Sequence, residues 1–145
     1  MSYLLDVNVL IALIDKDHIA HEVAHSWFAS TGRNDWATCA TTENGLLRII
    51  GNPNYQSSPG SPARVLPALR ELRSLPGHSF WAEDASLTDQ SLVDGEKLLS
   101  ASRVTDTYLL ALAAAKGGQL ATFDRRLVPD AVRGGAAALC LIAGH

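Results

Sequence analysis

VTDTYLLALAAAKGGQLATFD, residues 104–124, is the stretch from which the fold is read. Thr105 to Lys116 reads as a helix opened by Asp106. Gly117-Gly118 supplies the residue type that ends a helix, and Gln119 to Phe123 reads as a short apolar strand. A helix passing through a glycine stop straight into a strand is half of a β-α-β unit. Working outward, Ser2 to Asp6 reads as a buried strand and Asn8 to Ile14 as a helix with Val9, Leu10, Leu13 and Ile14 on one side. His18 to Ser30 predicts a second helix, stopped at Thr31-Gly32. Trp36 to Ala40 predicts a strand, and the helix after it, capped by Thr41 or Thr42, runs to Gly51-Asn52-Pro53. Asn52 to Pro62 is one long loop. Ala63 to Leu75 is helical by pattern, Ser79 to Ala82 a strand, Asp94 to Leu99 the start of a helix, and Ala137 to Ile142 a last strand. Strands separated by helices predict an α/β fold: a central parallel sheet of four to five strands with helices on both faces, an α/β/α sandwich.

The 145 residues predict a single domain spanning 1–145, and 47% apolar with 19% charged residues is globular composition. The longest apolar runs, such as Tyr108 to Ala115, are far shorter than the roughly 20 residues that cross a bilayer. The opening residues carry no basic segment, and Asp6, Asn8 and Asp15 interrupt the apolar run a secretory leader needs. A cytoplasmic protein without a membrane partner is therefore expected. Cys39 and Cys140 form no CxxC pair and are expected as reduced, buried thiols. A net charge of −3 excludes a binder that works by bulk attraction to nucleic acid. It does not exclude an enzyme that meets phosphate through a bound cation.

In open parallel sheets ligands bind beyond the carboxyl ends of the strands. The sequence places four acids there: Asp6 after the first strand, Glu43 beyond the second, Asp106 opening the long helix and Asp124 after the fourth. Each alone has an ordinary explanation as a helix cap or ion-pair partner. Together, four acids from separate segments on one sheet edge would repel unless a cation sat between them. Mg²⁺ or Mn²⁺ suits carboxylate and water ligands, and such a site hydrolyses phosphodiesters.

These residues resemble a known family. Asp6-Val7-Asn8, Thr42-Glu43-Asn44 with Arg48, Val104-Thr105-Asp106 and Leu120-Ala121-Thr122-Phe123-Asp124-Arg125 are similar, in order and spacing, to the PIN-domain ribonucleases and among these to the VapC toxins of VapBC toxin-antitoxin pairs. The resemblance runs from Asp6 to about Leu127. It implies a PIN-like fold and an Mg²⁺- or Mn²⁺-dependent endoribonuclease acting as the toxin of such a pair. Asp6, Asp106, Asp124 and Glu43 would then be the catalytic and metal-holding acids. Asn8 and Thr105 would orient them, and Arg48 and Arg125 would meet RNA phosphate. An RNA substrate, a VapB-like antitoxin and a homodimer are implied partners.

Two other readings compete. His21-Glu22-Val23-Ala24-His25 is an HExxH sequence on a predicted helix, with Glu43 downstream as a third ligand, the pattern of a zinc peptidase. It leaves Asp6, Asp106 and Asp124 without a role. The third reading is a catalytically silent PIN-like protein-binding module. No Walker A loop, GxGxxG or GxSxG pattern is present. Trp27, Trp36 and Trp81 are expected in packing rather than as a base-stacking platform.

Overall fold

The computed structural model describes residues 1–143, so the expected span of 1–145 runs two residues past the described ones. The elements in order are β1 (Tyr3–Leu5), α1 (Val7–Ile14), α2 (His21–Ser30), β2 (Trp36–Cys39), α3 (Ala40–Ile50), α4 (Pro62–Arg73), β3 (His78–Trp81), α5 (Val104–Ala115), β4 (Gln119–Thr122) and β5 (Leu139–Leu141). The five strands form one parallel sheet in the order β3-β2-β1-β4-β5. This is the α/β/α sandwich predicted, at the upper end of the expected strand number.

Side chains alternate across a strand, and the two faces of the sheet bury different layers. Leu5 and Trp36 pack with Val9, Leu10, Phe28, Leu46 and Leu69 from α1 to α4. Leu4, Ala37, Cys39 and Leu120 pack with Leu109, Leu110 and Leu112 of α5. Both layers are closed to solvent, and each fully buried leucine contributes roughly 1.5–3 kcal/mol. Two glycines set the spacing. Gly45 on α3 lies so near α1 that a Cβ would meet Val7 Cγ2 at 2.8 Å. Gly117 takes φ +70° and closes α5 with the pair of bonds Gly118 N to Ala113 O (2.9 Å) and Gly117 N to Ala114 O (3.1 Å), a Schellman end.

Three expectations are corrected. Asp94 to Leu99 forms only a 3-10 turn at Gly95–Lys97, because its leucines have no layer to enter; Leu99 is 88% exposed. The stretch from 82 to 103 is therefore a second long connection. Neither Thr41 nor Thr42 is the cap of α3, which starts at Ala40. Thr42 Oγ1 instead accepts from Cys39 N (3.0 Å), and the Glu83 carboxylate accepts from Thr41 N (2.5 Å) and Thr41 Oγ1 (2.8 Å). With Thr42 reaching back from within the helix to Cys39 N and Glu83 taking Thr41 N from outside, the helix begins earlier. Helix α2 starts at His21 rather than His18, after a turn in which Ala20 N donates to His18 Nδ1 (3.0 Å). Among the described residues no helix is long and apolar enough to cross a membrane. Cys39 is buried, Cys140 is half-buried, and both are unpaired.

Candidate active site

Asp6 lies where β1 turns directly into α1. Its carbonyl accepts from Val9 N (3.0 Å) and Leu10 N (3.1 Å), and its Oδ1 accepts from Val7 N (2.8 Å), so the aspartate caps the helix it precedes. The other oxygen, Oδ2, accepts from Thr122 Oγ1 at the end of β4 (2.7 Å). Thr122 is fully buried and its hydroxyl is saturated, accepting also from Asn8 Nδ2 (3.2 Å) and Asp124 N (3.1 Å). Asn8 Oδ1 in turn accepts from Phe123 N (3.4 Å). One hydroxyl thus fixes Asp6, Asn8 and the backbone of Asp124 together.

Asp106 stands in the first turn of α5, where the helix N-terminus favours a negative charge. With Asp124 it lines an open cavity of about 230 Å³, whose rim carries Arg103 and Arg126 and whose apolar side is Leu127 and Val128. Asp6 is only 6% exposed. Burial first, then the charges of Asp106 and Asp124, push its carboxyl above the usual carboxylate range, against the Thr122 and Val7 bonds that favour the ionised form. Asp106 is raised too, by burial and then by Asp124, with the Arg103 charge opposing. Asp6, Asp106 and Asp124 are therefore an electrostatically coupled trio.

Glu43 is not in it. Its carboxylate, 8% exposed, accepts from Thr38 Oγ1 (2.5 Å) and pairs with Arg73 Nε at 3.4 Å. Thr38 Oγ1, having spent its proton on Glu43, accepts from His78 Nε2 (2.7 Å). Strand alternation puts Thr38 beside Trp36 on the α1–α4 face, whereas Asp6 and Thr122 share the parity of Leu4 and Leu120 on the α5 face. The fourth acid and the trio thus face opposite sides of the sheet. Burial, then the Arg73 charge, lowers the His78 pKa, and Glu43 opposes them.

The remaining predicted residues divide similarly. Asn8 is engaged with the trio as described. Thr105 and Arg125 are exposed near it, and Arg48 lines a separate hollow with Asn44 and Pro62. The cations at the acid pocket are instead Arg103, whose Nη1 donates to Arg126 O (3.2 Å), and Arg126, whose backbone N donates to Asp124 Oδ1 (2.9 Å). Arg103 and Thr122 had no assigned part in the sequence reading, and Arg126 only that of an ion-pair partner for Asp124, a pair the structure forms at 3.9 Å. Only Thr122 left a signal, a small polar residue ending an apolar strand two places before an acid.

The HExxH histidines serve the end of α1. His21 Nδ1 donates to Ala12 O (2.7 Å) and His25 Nε2 to Leu13 O (2.9 Å), satisfying carbonyls that a helix terminus leaves free. Their supposed third ligand, Glu43, is held by Arg73. Among the described residues, no three His, Cys, Asp or Glu side chains form a ready metal cage. The donors at the trio are hard carboxylate oxygens, and those of Asp106 and Asp124 line a cavity open to solvent. That fits Mg²⁺ or Mn²⁺, since Mg²⁺ is held by one or two carboxylates and completes its shell with water and phosphate oxygens.

A PIN domain profile matches residues 3–130. The chain is 43% identical over 134 residues to Ribonuclease VapC44 of Mycobacterium tuberculosis, covering 92% of this chain and 94% of that protein. Among solved structures it is similar to Mycobacterium tuberculosis VapC20, described as a sarcin-ricin loop cleaving toxin, with a TM-score of 0.57, 16% identity and 99% of each chain covered. It is also similar to VapBC2 from Rickettsia felis bound to a promoter DNA fragment, with a TM-score of 0.51, 15% identity, and 87% of this chain and 90% of that one covered.

Proposed function

The chain belongs to the PIN-domain family, on its VapC ribonuclease branch, and from that premise we propose that it hydrolyses RNA phosphodiesters at the Asp6, Asp106 and Asp124 trio, as the toxin of a VapBC pair. The observation that carries the proposal is an open pocket lined by Asp106 and Asp124, with the buried Asp6 close enough to feel the charge of both. Crowded carboxylates are stable in their ionised form only beside a positive charge.

Asp6, Asp106 and Asp124 would hold Mg²⁺ or Mn²⁺. Such an ion supplies Lewis-acid charge and lowers the pKa of water near it. The chain's own residues do the rest. Thr122 and Asn8 fix the rotamer of Asp6, so that its position needs no adjustment when substrate arrives. Arg126 and Arg103, on the pocket rim, offset the charge of the RNA phosphate, with Arg125 further out along the same segment. Thr105 flanks Asp106 at the mouth. Glu43 belongs to the acid set implied by the family, and would reach the pocket only by giving up Thr38 and Arg73. Arg48, on its separate hollow, would act on RNA outside the pocket. A VapB-like antitoxin and a homodimer complete the proposal.

The test compares wild type with Asp6→Asn and Asp106→Asn on cellular RNA in Mg²⁺, Mn²⁺ and EDTA, with cleavage products sequenced. Wild type should cut at defined positions, and each variant should lose more than about a hundredfold, within the range for removing one electrostatic contributor. Equal cutting by either variant would sink the trio mechanism.

A further inference from the structure

Beside the acid pocket a second cavity of about 350 Å³ opens between the Gly95–Lys97 turn and the segment following Asp124. The two share a wall: Arg103, Thr107 and Val128 line both. Exposed apolar side chains scattered singly over a surface carry no message. Here two gather, since Leu99 (88% exposed) and Val128 (45%) line the same cavity beside a charged site. Arg103 stands on the ridge between the cavities, its guanidinium tethered by the bond to Arg126 O. The surface thus offers, in sequence, carboxylates, a fixed cation and a recess with an apolar wall of Leu98, Leu99, Val128 and Ala131, edged by Glu96, Lys97 and Asp130. RNA repeats a matching order along its backbone: a phosphodiester, a further phosphate and an aromatic base.

Resting on the nuclease reading above, we propose that this second cavity seats the base of a nucleotide flanking the cut bond, with Leu99 and Val128 against its face and Arg103 on the phosphate beside it. A base can enter such a recess only when it is out of a helical stack, so the substrate is RNA presenting an unpaired base at the cleavage site. The cavity size is within the range of small-molecule sites. Continuity with the acid pocket selects an RNA base over other occupants, because whatever fills the recess must pass or adjoin Arg103 and the carboxylates.

The experiment crosses a protein change with a substrate change. Cleavage sites are first identified by sequencing products from a random-sequence RNA pool. A short RNA containing a cut site is then made with a single abasic ribonucleotide at each position flanking the bond. Wild type and Leu99→Ser are compared on all of them; Leu99 is exposed, and thermal melting checks that the variant is folded. One abasic position should lower wild-type kcat/KM about tenfold and Leu99→Ser should lower cleavage of intact RNA about tenfold, the scale of covering one apolar side chain. The two losses together should be no larger than either alone. If they multiply, or if Leu99→Ser cuts intact RNA at the wild-type rate, the base seat is wrong. If Leu99→Ser cuts normally but escapes a VapB-like antitoxin, the recess seats protein instead. If wild type cuts no RNA in either metal, the nuclease reading itself fails.

Discussion

Thr122→Val removes one oxygen from the centre of the site and almost nothing else, because the two side chains have the same shape. Three bonds depend on that oxygen. The bond to Asp6 is charge-assisted and fully buried, in the class worth about 1.5–3 kcal/mol. The bonds from Asn8 and Asp124 N are only part-buried, so water replaces them at a cost of some tenths of a kcal/mol each. The expected loss is roughly 2–4 kcal/mol, a large share of the 5–15 kcal/mol typical of a domain. Urea unfolding followed by tryptophan fluorescence should show the midpoint falling by about 1–2 M, and melting should fall by roughly 6–12 °C. The pH dependence has a definite sign. The Thr122 bond favours ionised Asp6, so without it the folded carboxyl rises further and the destabilisation is larger at pH 7 than at pH 4. Thr122→Ser keeps the hydroxyl and should stay close to wild type. If Val and Ser variants unfold at the same urea concentration at pH 7, the hydroxyl does not organise the site.

The folded pKa values of Asp6 and Asp106 are raised, so their stabilising contribution is fully present below the ordinary carboxylate pKa and is lost as pH rises through the folded values. Relative to Asp6→Asn, metal-free wild type should therefore lose melting temperature between pH 4 and pH 7. Mn²⁺ at about a hundred times its Kd should restore about 2.7 kcal/mol at pH 7; a melting curve indifferent to Mn²⁺ would remove the ion from the site. Arg73 and Glu43 are half-exposed and nearly buried respectively, so a double-mutant cycle of Arg73→Gln and Glu43→Gln should give a coupling of about 1 kcal/mol in urea unfolding. Additive losses would mean that the pair does not hold Glu43 in place. His21→Ala should cost about 1 kcal/mol through the lost bond to Ala12 O and leave RNA cleavage intact. Stoichiometric zinc in purified wild type, absent from the variant, would contradict that role.

The order of elements was readable because helix and strand periods differ and glycine marks their ends, as at Gly117-Gly118. Register and face were less readable. Glu43 illustrates the limit: its position just past β2 points to the sheet edge, but the side chain follows the helix inward to Thr38 and Arg73, and α4 supplies that arginine from thirty residues away. The rim arginines were missed for a similar reason. Arg125 and Arg126 are indistinguishable in sequence, and only the turn after Asp124, with its bond from Arg126 N, decides which one borders the pocket. The HExxH pattern misled because spacing cannot reveal that its ring nitrogens are already engaged with the carbonyls of α1.

The bond between Asp6 and Thr122 joins residues 116 positions apart. During synthesis the segment from β1 to α3 emerges well before α5 and β4, and domains are completed only as their last contributing elements leave the ribosome. The trio therefore does not exist on any nascent chain shorter than about Asp124. On the proposed nuclease reading each chain is inert until its own far strand closes against the first, so its activity arrives in a single late step.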